Sequence, residues 1–269
     1  MTTITPSKTS TMPPAQPSRS LVRDIRIVMT RELKPVLRDP FSLLFGMIQP
    51  LVFLALFGPL LSGSMGGTFG DGVWQWFVPS ILVMTTLFGT STTGANLLFE
   101  FQTGAHERML VTPLRRPALL LGRALKEIVP MLAQAVIIVA VTIPFGYELH
   151  VVGTLIGLLI LAAFCVGVGA LSYTLALASK DQEWLFWTVQ QTLLFPVLLL
   201  AGMLLPVEGG PGWLQTLSSF NPLTYVVDAA RILFNGEIAS STVAYGIIAA
   251  AIVAAFGLLV GTRAMKRSA

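Results

Sequence analysis

Hydrophobic side chains dominate this chain in long, uninterrupted stretches. Six of them contain no Asp, Glu, Lys, Arg or His: 41–61, 77–98, 128–147, 152–178, 185–205 and 243–262. Each is 20 to 27 residues long, and about 20 apolar residues in a helix cross the hydrocarbon core of a bilayer. The strict alternation of an outer-membrane barrel strand is absent. A helix satisfies its own backbone groups, as lipid demands. The pattern predicts an all-α membrane protein with six transmembrane helices.

The polar intervals carry their own patterns. In SLVRDIRIVMTRELKPVLRDP, Leu21, Val22, Ile25, Val28, Met29, Leu33, Val36 and Leu37 recur at helical spacing opposite a basic face. This predicts an amphipathic helix on the membrane surface, ended by Pro40, either as an anchor alone or with a further gating role. Near the C-terminal end, Asn221 followed by Pro222 is a helix start, with Leu223, Val226, Val227, Ala230 and Leu233 as its apolar stripe. That segment predicts a re-entrant helical hairpin before the last span, with Asp228 and Arg231 three residues apart and able to pair. Trp213 and Tyr225 suit the interface. Residues 1–19, rich in Pro, Ser and Thr, read as a disordered tail rather than a signal peptide; residues 20–269 form the membrane domain.

Only 11% of residues are charged, against about 25% in an average soluble domain. Sixteen of the 17 Lys and Arg residues fall on one side of the predicted spans, leaving Arg231 alone on the other. Positive charge marks the cytoplasmic side, so both termini are expected there. The net charge of +4 then meets lipid headgroups and implies no nucleic acid. Cys165, the single cysteine, falls in the fourth span and excludes an intrachain disulfide. GTLIG at Gly153–Gly157 and GLLVG at Gly257–Gly261 have small-xxx-small spacing, expected to serve packing within the chain.

Several chemistries are missing. The sequence has no HExxH, no GxSxG and no paired-aspartate motif, which argues against an intramembrane enzyme. It has no GxxxxGK[ST] loop for ATP. No ionisable side chain lies inside the six windows, so proton- or sodium-coupled transport is disfavoured. The spans do carry neutral polar residues, some expected to bond helix to helix and the rest to suit an amphipathic solute.

Against this background HERMLVTPLRRP, His106 to Pro117, is out of place: charged and bounded by prolines between two apolar runs. With Glu107-Arg108, Leu110, Thr112-Pro113, Arg115 and the adjoining Arg116, it resembles the cytoplasmic region of ABC-2 type exporter permeases, whose pattern is E-R-x-x-x-x-L-x-x-T-P-x-x-R. NPLTYVVDAAR, containing Asn221, Pro222, Tyr225, Asp228 and Arg231, is similar to that family's external N-P-x-x-Y-x-x-D-x-x-R. REL…LRDP, with Arg31, Glu32, Arg38 and Asp39, is similar to its N-terminal interface helix. The closest likeness is to daunorubicin-resistance type drug-efflux permeases of the bacterial plasma membrane.

The resemblance implies a homodimer, or a pair of related permeases, bound to two separate cytoplasmic ATPase subunits that hold ATP and Mg; this chain would carry no cofactor or metal. It implies a coupling helix after the second span, seated on the ATPase. Gln49, Thr86, Thr90, Asn96, Gln190 and Gln191 are the candidate pathway, for a solute between the first, second and fifth spans. A drug or lipid exporter is the first reading. A permease for lipid-linked glycans of teichoic acid or O-antigen type is the alternative, and an intramembrane enzyme the remote one.

Overall fold

The structure, a computed structural model, describes residues 20–69, 72–110 and 114–267. The expected tail lies outside these residues, as do Thr112 and Pro113 of the charged segment. The described elements are helices: α1 (Leu21–Arg38), α2 (Pro40–Phe69), α3 (Val73–Gln102), α4 (Ala105–Leu110), α5 (Arg116–Lys126), α6 (Ile128–Thr142), α7 (Val151–Ala178), α8 (Glu183–Leu200), α9 (Gly212–Ser219), α10 (Pro222–Phe234) and α11 (Ser241–Arg267). Two short 3₁₀ turns, at Ile143–Phe145 and Val207–Gly209, join them.

Five of the described segments are long and apolar enough to cross a membrane: Leu44–Leu61, Val73–Gln102, Arg116–Phe145, Val151–Ala178 and Ser241–Arg267. These contain or overlap the expected first, second, third, fourth and sixth spans. The expected fifth span, 185–205, differs. Its helix, α8, is 18 residues long and ends at Leu200, because Gly202 adopts a left-handed φ of 66° and turns the chain.

The Arg116–Phe145 segment is nearly one helix. Pro130 lacks an N–H and its ring crowds the carbonyl four residues back, at Lys126, so α5 ends there. Glu127 keeps helical angles (φ −66°, ψ −19°), and α6 continues close to the line of α5.

The helices define two ends. At one, which we call the basic end, α1, α4 and α5 gather around the C-terminal parts of α3, α7 and α11. At the other, α10 meets the N-terminal parts of α3, α7 and α11, and α9 packs beside α10 and α8. A large core runs from α2 and α3 through α7 to α10 and α11. A smaller one at the basic end joins Val28, Leu97, Met109, Leu120, Tyr173, Phe186 and Met265.

Glycines let the long helices touch. A Cβ on Gly257 would collide with the Gly167 carbonyl oxygen, so α7 and α11 meet backbone to backbone. Gly153 and Gly157 abut Leu233 and Phe234 of α10. Both small-xxx-small pairs therefore pack within the chain. Polar span residues also bind helices together: the Ser172 hydroxyl donates to Ser91 O at 2.8 Å and accepts from the Gly94 N–H at 3.1 Å.

Candidate functional site

The charged segment turns back at the basic end. Gly104, with φ 66°, closes α3, and α4 follows at once. Arg108 reaches back to α3, its Nη2 donating to Thr103 O at 3.1 Å and its Nε to Gly104 O at 3.4 Å. Carbonyls at a helix C-terminus lack intrahelical partners and favour a cation, so Arg108 sets how α4 leaves α3. Arg31 of α1 places its guanidinium against the Met109 sulfur of α4. Arg108, Arg115 and Arg116 are exposed. The side chains of Glu107 and Leu110 lie outside the described set.

α1 holds α5 along its length. Asp24 is fully buried, and its Oδ2 accepts from the Arg115 backbone N–H at 3.3 Å. A carboxylate thereby sits at the start of α5, which lacks a side-chain cap of its own. Further along, a Cβ on Gly122 would lie 2.7 Å from Val28 Cβ.

One residue later stands Arg123, buried at 3% exposure. Its guanidinium pairs with the Glu100 carboxylate of α3 and lies 3.6 Å from Glu32 Oε1 of α1. It also sits over the Tyr173 ring of α7, 5.4 Å from the centroid. One turn on, Lys126 Nζ is 3.4 Å from Glu127 Oε1, which accepts from Thr93 Oγ1 at 3.0 Å. A buried ion without a partner costs several kcal/mol; each of these five has an opposite charge beside it.

This charged layer borders a cavity of about 710 Å³ between α1, α2, α3 and the α5–α6 segment. Gln49, Thr86, Thr90 and Asn96, four of the six expected pathway residues, line it. Gln134 of α6 lines it too, with Met84 and Phe88 at the end farthest from the charges. Thr86 and Thr90 donate to the carbonyls of Leu82 and Thr86, each at 2.8 Å, which leaves their oxygens as acceptors. Glu32, Asp39, Glu100, Lys126 and Glu127 line the basic end. The cavity is thus charged at one end and neutral towards the membrane interior.

Gln190 and Gln191 of α8 do not join this lining. Gln190 Oε1 is buried with no hydrogen-bond partner. Gln191 is exposed on a stripe with Trp184, Thr188 and Phe195.

At the opposite end the hairpin forms on the expected residues. Asn221 caps α10, its side chain accepting from the Leu223 N–H at 3.1 Å, and its amide also donates to Val197 O of α8 at 2.7 Å. Pro222 is the first helical residue. Tyr225 donates to Ser219 O at 2.8 Å. The expected stripe is buried: Leu223, Val226, Val227, Ala230 and Leu233. Arg231 lies 3.5 Å from Asp228, donates to Ser80 Oγ and Gly202 O at 2.8 and 2.7 Å, and stacks on Trp76.

The charge-free windows do not predict the charged layer, and in the sequence Arg123 and Lys126 stand only among the sixteen basic residues on one side. A signal existed. Glu100 lies just past the second charge-free window, and Arg123, Lys126 and Glu127 just before the third. A short connection puts both window edges at one membrane face, where opposite charges can meet.

Comparison with known proteins bears on this arrangement. Residues 23–235 match the family described as ABC-2 type transporter. The ycf38 protein of Pyropia yezoensis, named as a transport permease, is 32% identical over 223 residues, spanning 81% of this chain and 76% of its own. DrrB1 of Streptomyces coeruleorubidus, named a daunorubicin resistance ABC transporter permease protein, is 25% identical over 202 residues, spanning 73% and 70%. YbhR of Escherichia coli K12, whose name describes a multidrug ABC transporter permease, is 28% identical over 165 residues, spanning 60% and 44%.

Proposed function

The chain belongs to the ABC-2 type transporter family, and from that premise we propose that it is the membrane permease of an ATP-driven exporter whose ATPase is a separate chain. The observation that carries this reading is the cavity of about 710 Å³, charged at the basic end and lined by Gln49, Thr86, Thr90 and Asn96 farther in. An amphipathic solute fits such a lining: its polar group meets the charged layer, and its apolar part meets Met84 and Phe88. DrrB1 and YbhR are named for drug resistance and multidrug transport, and a drug-like or lipid solute is our reading here.

The basic end faces the cytoplasm of a bacterial cell, with both chain termini on that side. α8 makes the fifth of six crossings: 18 residues reach about 27 Å as a helix, close to the ~30 Å hydrocarbon core. α4 and the start of α5, with Glu107, Arg108, Leu110, Arg115 and Arg116, seat on the ATPase, which holds ATP and Mg. The Trp184, Thr188, Gln191 and Phe195 stripe of α8 meets a second copy of the chain, because exposed amide and hydroxyl groups are costly against lipid. Nucleotide-driven closure of two ATPases moves the docking segments and opens the cavity outwards.

The test is co-expression with an ABC ATPase encoded beside this gene, in cells lacking their own efflux pumps. Reduced accumulation of daunorubicin, or of a cationic dye, that requires both chains supports export. Native mass spectrometry should give two permeases with two ATPases, and the permease alone should hydrolyse no ATP. A stable monomer that binds no ATPase would defeat the reading.

A further inference from the structure

Arg123 is the place where the basic end is tied together. It stands on α5, the helix that follows the charged segment, and its guanidinium reaches three other helices: Glu100 on α3, Glu32 on α1 and the Tyr173 ring on α7. No simple packing need calls for it. An arginine is rarely buried unless paired, and an apolar residue of similar length would fill the space without taking two carboxylates out of water. A planar, two-sided donor is instead the group that holds carboxylates from two directions while its face rests on a ring.

The surroundings give that junction leverage. α5 is bound to α1 near both ends, through Asp24 on the Arg115 N–H and through Gly122 against Val28. It runs almost straight into α6 through Glu127. Movement of α4 and the start of α5 therefore carries α1 by packing. α3 joins α4 at its end through Gly104, where Arg108 braces the turn. α5 itself meets α3 only lightly, through the guanidinium–carboxylate pair and the Thr93–Glu127 hydrogen bond, and α3 is the helix that supplies Thr86, Thr90 and Asn96 to the cavity. The same helix continues to Ser80 and Trp76, where Arg231 holds α10 at the opposite end.

We propose that Arg123 is a positioning residue that passes displacement of the charged segment to α3, and through α3 to the cavity and to α10. The proposal rests on the reading above, in which that segment docks an ATPase. Arg123 touches neither solute nor nucleotide in this role. It keeps α1, α3, α5 and α7 moving as one body when the docking segment moves.

The experiment follows hydrogen exchange in the permease–ATPase complex in lipid nanodiscs, with and without AMP-PNP. In the unaltered complex, nucleotide should change exchange in α4 and also in α10. The neutral variant Glu32→Gln, Glu100→Gln, Arg123→Met removes all three charges together, so no ion is left buried alone. It should keep the α4 response and lose at least two-thirds of the α10 response. Arg123→Lys, which keeps the charge without the fork, should fall between. If the neutral variant does not assemble, Glu100→Ala alone decides, since it removes only the α3 arm and leaves Glu32 to pair with Arg123, and the α10 response should at least halve. An α10 response equal to that of the unaltered complex, in whichever of these two variants decides, overturns the role of Arg123. Absence of an α4 response in the unaltered complex overturns the docking reading instead.

Discussion

The guanidinium of Arg231 lies 4.0 Å from the centroid of the Trp76 ring. The two residues sit on different helices, α10 and α3, and the contact fastens the α9–α10 hairpin to the helix that lines the cavity. Arg231 is the lone basic residue on its side of the predicted spans, so orientation does not explain it. Its partners do: Trp76, Ser80, Gly202 and Asp228 surround it.

A lysine cannot reproduce that set, because an ammonium lacks the planar face and the fork. Arg231→Lys should destabilise the protein by about 1–2 kcal/mol, the range of a desolvated cation–π contact with its hydrogen bonds. Arg263→Ala, at an exposed position, should change it by less than about 0.5 kcal/mol. Thermal unfolding in detergent followed by size-exclusion chromatography checks both. If the Asp228 pair were the whole reason, the swap Asp228→Arg with Arg231→Asp would restore stability. We expect it not to, since the swap leaves Trp76, Ser80 and Gly202 O without the guanidinium.

The α7–α11 contact is equally specific. Gly167 and Gly257 bring the two backbones together, and a larger side chain at either must push them apart. Gly257→Leu should cost about 1–3 kcal/mol, as overpacking does. Gly63→Ala, where a Cβ meets nothing within 4 Å, should be neutral or stabilising by up to ~1 kcal/mol. Loss of monodisperse protein in the first variant and not the second is the expected pattern.

Lys126 and Glu127 offer a test of the charged layer. Glu127→Ala leaves the Lys126 ammonium buried without its carboxylate and should cost about 3–5 kcal/mol. Glu127→Gln keeps an acceptor for Thr93 and should cost clearly less. Equal large loss of folded protein in the two would show that the charge paired with Lys126 matters and the acceptor for Thr93 does not, and equally small loss in both would show that Lys126 does not depend on this pair.

Arg108, Arg115 and Arg116 separate positioning from docking. Arg108 holds α4 against the end of α3, whereas Arg115 and Arg116 turn outwards. Arg115→Ala with Arg116→Ala should weaken ATPase binding about tenfold or more, ~1.4 kcal/mol, with normal thermal unfolding of the permease. Arg108→Ala should lower both. Pull-down with the ATPase at several salt concentrations reads the difference, since exposed charge pairs are screened.

Much of this protein was legible from its chain alone. Charge-free windows predicted five helices that appear, with ends shifted by up to eight residues, because a segment that must satisfy its backbone in lipid has few alternatives to a helix. Asn221 and Pro222 started α10 as their local chemistry requires, and its apolar stripe became its buried face. What the pattern did not carry was direction. Lipid tails are as apolar as leucine, so hydropathy does not tell a lipid-facing side from a packed one. Gln49 and Asn96 turned towards the cavity while Gln191 turned outwards, and nothing in their windows marks the difference. Nor does an apolar window reveal that Gly202 will take a left-handed turn and end α8 five residues before Leu205. The Arg123 junction depends on partners on α1, α3 and α7, and only the packing of those helices brings Glu32, Glu100 and Tyr173 around one guanidinium.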